Sequence, residues 1–138
     1  MKTKSIFLSA LFLSIGLFTV SCSNDDNDGE TIVPIQGTYK LSKTGGIVNG
    51  SEVLVDAIQN QSGCNPDYLD LRLSNAAVMG DYGPNCALTE TTGTYVRSHN
   101  DLTLTFGNSS TTSDIMNLTN KELKIKDKTS GIITVYTR

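Results

Sequence analysis

The sequence predicts an all-β domain, an antiparallel up-and-down barrel of eight strands. Three observations predict it. From Thr31 onward, apolar and polar residues alternate with a period of two, the spacing that sends side chains to opposite faces of a strand. Clusters of Gly, Asn and Asp interrupt that alternation about every eight to twelve residues. No stretch of helical length carries an apolar stripe. The best short one, residues 53–58, is rich in β-branched side chains that suit a strand equally well.

In chain order, the first element is a leader over residues 1–21. Lys2 and Lys4 make a basic start, and residues 6–20 are an apolar run that covers every face of a helix. That is the form of a secretory signal, and it falls short of the ~20 residues that span a bilayer. The run ends Thr19-Val20-Ser21-Cys22, which resembles the lipobox of bacterial lipoproteins, with Thr19 where Leu is usual. The resemblance implies that Cys22 is acylated on sulfur, as with palmitate, and becomes the mature N-terminus, a membrane anchor that does not span. A signal cut near Ser21 or Cys22 without lipidation is the alternative.

Residues 22–32 then read as an acidic, flexible tether. Asp25, Asp26, Asp28 and Glu30 repel one another, and no apolar residue falls between positions 23 and 30. This resembles the acidic stretch that follows the lipidated cysteine in surface-exported lipoproteins of Bacteroidota-type bacteria, which implies the outer membrane and its outward face. Asn24, Asp26, Asp28 and Gly29 fall at calcium-loop offsets, but Ile35 stands where the loop needs its bidentate Glu. No metal is expected.

The barrel domain is expected over residues 33–138, with strands at 37–44, 52–58, 68–74, 76–82, 92–98, 101–107, 113–119, 121–127 and 131–138. Breaks fall at Gly45-Gly46, Asn49-Gly50, Gly83-Pro84, Asn100-Asp101, Asn108 and residues 127–131. Leu102, Leu104 and Phe106 make one inward row, and Leu123 and Ile125 another, with Glu122, Lys124 and Lys126 facing water. The Thr/Ser/Asn-rich residues 108–114 read as a solvated loop. Nine short strands suit an eight-stranded barrel in which one element is broken or wrongly assigned, and closure removes the exposed edges of a meander.

Once Cys22 is assigned to the anchor, Cys64 and Cys86 remain as an even pair in an oxidising compartment. They are equidistant from Asn75, so a hairpin turning there sets them opposite each other at disulfide distance. A redox or metal pair is disfavoured, because there is no CxxC and His99 is the only imidazole.

Several residues together resemble the lipocalin-like domains of small bacterial lipoproteins. These are Gly37 and Tyr39 in the opening strand, Cys64, Cys86, Gly93 with Tyr95, Leu102 with Leu104, Leu123 with Ile125, and Tyr136 with Arg138. The resemblance runs through residues 33–138 in order and spacing, with Tyr39 and Tyr95 where that family carries Trp. It implies a calycin-like barrel whose first-strand aromatic closes one end beneath a basic residue from the last strand. Gly37, Tyr39 and Arg138 are therefore the expected closure, held by cation–π stacking.

Function is less legible. Residues 31–138 carry nine Lys/Arg against ten Asp/Glu, which excludes a basic nucleic-acid footprint. No GxSxG, HExxH, P-loop or GxGxxG occurs, and Ser98 and His99 are strand neighbours that point apart, so no enzyme and no cofactor are expected. A barrel of eight strands encloses room for side chains or one small ligand. The expected ligand or core lining is Leu69, Leu71, Leu73, Val78, Leu102, Leu104, Phe106, Leu118, Leu123, Ile125 and Ile133. The expected activity is binding of a small hydrophobic or amphipathic molecule by a monomer at the cell surface. The alternative is a non-catalytic interaction module, adhesin-like or inhibitor-like, with a filled barrel.

Overall fold

A computed structural model describes residues 32–138; the leader, Cys22 and the acids of the tether lie outside the described residues. Nine strands follow one another: β1 (Gly37–Val48), β2 (Ser51–Asp56), β3 (Tyr68–Leu71), β4 (Ala76–Tyr82), β5 (Leu88–Ser98), β6 (Asp101–Phe106), β7 (Ser109–Leu118), β8 (Glu122–Asp127) and β9 (Ile133–Thr137). Every neighbouring pair is antiparallel, and β1 also pairs with β9, which closes the sheet.

Nine strands make eight barrel positions because β2 and β3 share one. Tyr39 and Lys40 of β1 pair with Leu69 and Tyr68, whereas Lys43 pairs with Asp56 of β2 on the same edge. The connection between them, residues 57–67, leaves the wall at that point. Its ends are held by Ala57 N–H donating to the Ser42 carbonyl and Leu41 N–H donating to the Asp67 carbonyl. Up-and-down topology then sorts the connections. Those at 72–75, 99–100 and 119–121 share one end with Gly37 and Arg138, and those at 83–87, 107–108 and 128–132 share the other.

The structure departs from the sequence reading at four strand boundaries. Leu73 does not extend β3: Arg72 N–H donates to the Ala76 carbonyl, and Ser74 and Asn75 turn the chain at positive φ. Residues 109–113 are not a loop but the first half of β7, because β6 needs a partner along its full length. Their outward hydroxyls make cross-strand hydrogen bonds, Thr103–Thr112 at 2.9 Å and Thr105–Ser110 at 2.7 Å. β5 likewise begins at Leu88, extending the ladder with β4.

Gly45-Gly46 does not end β1. Gly45 faces outward opposite Ile133, and a Cβ there would sit 1.9 Å from the Val53 carbonyl oxygen. Lacking one, Gly45 lets the β2 backbone fold across the outside of β1. Glu52 of β2 then reaches Lys124 of β8 in an ion pair of 2.7 Å.

Candidate functional site

One end of the barrel is solid. Ile35, Tyr39, Leu69, Leu71, Ala77, Tyr95, Leu102 and Leu123 are buried together there, the alternate residues of six strands turned onto one another. The Tyr39 hydroxyl donates to the Ile35 carbonyl at 2.7 Å, and the Tyr95 hydroxyl donates to the Arg72 carbonyl at 2.9 Å, so neither buried phenol is left unpaired. Arg138 lies over the Tyr39 ring with its guanidinium carbon 4.9 Å from the ring centroid. Its nitrogens donate to the carbonyls of Gln36 (2.8 Å), Asn120 (3.1 Å), Thr119 (3.3 Å) and Pro34 (3.4 Å). Gly37 passes directly beneath at φ 147°, where a Cβ would stand 2.7 Å from an Arg138 nitrogen. Burial pushes the Tyr39 phenol pKa up, and the Arg138 charge only partly offsets it.

The other end is hollow. A cavity of about 450 Å³ is lined by the apolar side chains of Met79, Leu104, Phe106, Ile125 and Ile132. Beside them, on neighbouring strands, stand the hydroxyls of Ser109, Thr111 and Ser113 on β7, Ser130, and Thr134 and Tyr136 on β9. Strand register explains the mixture. On β7 the inward positions opposite Phe106, Leu104 and Leu102 are Ser109, Thr111 and Ser113, so small polar side chains stand where a filled barrel would place large apolar ones. Met79 faces inward opposite Leu69 yet is 44% exposed, and Ser109 and Thr111 are exposed too, so the space is reached by solvent. Gly93 contributes by omission: a Cβ there would meet the Phe106 ring at 2.6 Å.

A smaller space of about 190 Å³ adjoins the cavity and shares Met79 and Tyr136 with it. It lies where residues 57–67 leave the wall, between Leu41, Gln59, Asp67, Tyr68, Gly80 and Asp81. The Tyr136 pKa is pushed up to about 12 by burial first and by the Asp67 charge second. The Asp67 Oδ1 accepts the Tyr82 amide at 2.8 Å. At the rim of the main cavity, Asp127 accepts the amides of Thr129 (2.7 Å) and Ser130 (2.9 Å), which hold its carboxyl below the usual range.

The expected lining residues divide. Leu69, Leu71, Leu102 and Leu123 are core at the solid end; Leu104, Phe106 and Ile125 line the cavity; Leu118 is half-buried against the core. Three differ from expectation. Leu73 is 77% exposed, in the turn after β3. Val78 and Ile133 are buried but face outward, Val78 between Asp70 and Thr92, Ile133 between Gly45 and Lys126. Ile133 is covered because β2 folds over that face. The cavity residues absent from the expected lining are Met79, Ser109, Thr111, Ser113, Asp127, Ser130, Ile132, Thr134 and Tyr136. Extending the Leu102/Leu104/Phe106 alternation across the next hairpin would have found the three on β7.

Cys64 and Cys86 form the expected disulfide, with Cα atoms 5.2 Å apart, tying the 57–67 connection to the β4–β5 loop. His99 is exposed in the β5–β6 turn. Among the described residues, no group of three His, Cys, Asp or Glu side chains is placed to hold a metal.

The family model for the lipocalin-like domain matches residues 35–125, more than half of the chain. The chain belongs to the lipocalin-like domain family. The lipocalin-like fold recurs in solved structures. A lipocalin-like protein from Bacteroides uniformis ATCC 8492 superposes with a TM-score of 0.56 at 12% identity, covering 75% of this chain and 96% of that one. An uncharacterized protein from Bacteroides eggerthii DSM 20697 gives 0.55 at 11% identity, covering 75% and 98%. At that identity the likeness concerns the fold alone. No curated protein matches this lipocalin-like chain. The family match stops before β9, so Arg138, Thr134 and Tyr136 lie beyond it.

Proposed function

We propose that this lipocalin-like protein binds a small hydrophobic or amphipathic molecule in the hollow end of its barrel and performs no catalysis. The carrying observation is the cavity of about 450 Å³, within the ~300–1,000 Å³ usual for small-molecule sites. Its apolar residues Leu104, Phe106 and Ile125 supply the transfer free energy, and the neighbouring hydroxyls orient a polar group. Native mass spectrometry of the protein purified from its own host tests the reading. A stoichiometric small-molecule adduct is expected, lost in a Thr111→Trp variant that plugs the cavity. An empty barrel, or an adduct indifferent to the plug, overturns it.

The proposal extends to location. Acylation of Cys22 would place the barrel at the outer membrane on an acidic tether, outward-facing and monomeric. Support comes from the lipobox-like Thr19-Val20-Ser21-Cys22 and the acids that follow it. Two or more acyl chains suffice for stable anchoring. Wild-type protein should partition into the detergent phase and carry metabolic acyl label, and Cys22→Ala should do neither. Protease shaving of whole cells tests the outward face.

A further inference from the structure

The two adjoining spaces differ in charge as well as size, and the difference selects among amphipathic ligands. Together they are lined by three carboxylates, Asp67, Asp81 and Asp127, and by no Lys, Arg or His among the described residues. Four of the domain's nine Lys and Arg side chains are engaged elsewhere. Lys124 pairs with Glu52 on the outer wall, Lys128 with Asp101 and Asp114, Arg72 with Asp70, and Arg138 caps the solid end. An anionic head, such as a fatty-acid carboxylate, would enter this space with no counter-charge and with carboxylates nearby.

Asp127 is committed to the Thr129 and Ser130 amides, but the pair in the side space is less engaged. Asp67 uses Oδ1 for the Tyr82 amide, and neither Asp67 nor Asp81 takes part in an ion pair among the described residues. Tyr136 is the second, independent sign. It stands between the two spaces, half-buried, and no described group hydrogen-bonds its hydroxyl. That hydroxyl is free to donate to or accept from a ligand. The side space thus combines two carboxylates, the Gln59 amide and two phenol rings beside a cavity with apolar side chains in its lining.

We infer that the ligand is a cationic amphiphile, with an ammonium-type head between Asp67, Asp81 and Tyr136 and an apolar body against Leu104, Phe106 and Ile125. The inference rests on the ligand-binding reading above and adds the sign of the charge. The two spaces share Met79 and Tyr136 in their linings, which sets head and body close enough to belong to one molecule.

The test uses the full chain and three matched probes, decylammonium, decanol and decanoate, each below its micellar concentration and measured by calorimetry. Decylammonium should bind at least about tenfold more tightly than decanoate, with decanol between, the discrimination of a partly exposed charge pair. The Asp67→Asn/Asp81→Asn double variant should bring the three affinities together. The amide oxygen that replaces the Asp67 carboxylate can still accept the Tyr82 N–H, and Asp81→Asn alone should give part of the effect if the double variant unfolds. Glu122→Gln, which removes an acid at the solid end, should leave the order intact. Decanoate binding as tightly as decylammonium, or an order that survives the double variant, overturns the charge assignment alone. Failure of all three probes to bind overturns the ligand-binding reading, and this one with it.

Discussion

At the solid end of the barrel, Tyr39, Leu71, Leu102 and Leu123 are almost wholly buried and every phenol has a partner. At the hollow end, Met79, Ser109 and Thr111 face inward, remain exposed, and leave Tyr136 unpartnered. The same strands build both ends. β6 sends Leu102 into the core and Phe106 to the cavity, and β9 runs from Thr134 in the cavity wall to Arg138 over Tyr39. A barrel this small cannot be both filled and open throughout, so stability is concentrated at one end and binding space at the other.

The comparison is broken most forcefully at the solid end. Leu102→Ala should cost about 2–5 kcal/mol in chemical denaturation, because the rigid surroundings cannot collapse onto the void. Thr111→Ala, two residues along the facing inward row, should change stability by less than about 0.5 kcal/mol. Equal costs would mean that the cavity is packed in solution.

Next in size is the disulfide, the hollow end's own staple. Cys64→Ser/Cys86→Ser should cost about 3 kcal/mol for a closed loop of this length. Its effect should also appear in ligand affinity, since the bridge ties down the connection that walls the side space. Arg138→Ala comes third, at about 1–3 kcal/mol for the lost stacking and charge-assisted hydrogen bonds. Arg138→Lys should recover only part of it, because one ammonium cannot reach four carbonyls in a plane. Neither change should alter the cavity's ligand preference.

The smallest effect is a titration. The Tyr136 pKa is raised from 10.0 to about 12 in the folded chain, so the folded state keeps its proton longer than the unfolded one. Stability should be intact below pH 10 and decline as pH rises toward about 12. Tyr136→Phe should reduce that alkaline loss in stability curves. At the acid side, the Asp127 carboxyl is held low by two amides, so its contribution is present above the usual carboxylate range and fades as pH falls. Asp127→Asn should flatten that decline.

Much of the solid end could be read from residue order. Alternation located all nine strands, and the Gly37, Tyr39 and Arg138 resemblance named the three residues that meet there. The hollow end was not readable in the same way. Ser109, Thr111 and Ser113 look like a loop because an open cavity and a solvated turn favour the same small polar residues. The bulges at Ser42 and Met116 shift alternation by one residue, so faces assigned along β1 and β7 reverse partway. Val78 and Ile133 are buried on the outward face instead, Ile133 beneath β2.

By itself, then, the sequence determined the succession of strands and the cysteine pairing, because these follow from local periodicity and short-range geometry, and the closing residues were legible through the family resemblance. Only the tertiary structure decided that β2 and β3 share one barrel position, that β2 folds over Ile133, and that one end of the interior stays open. Those outcomes depend on which distant strands meet and at what stagger, and no local pattern records that.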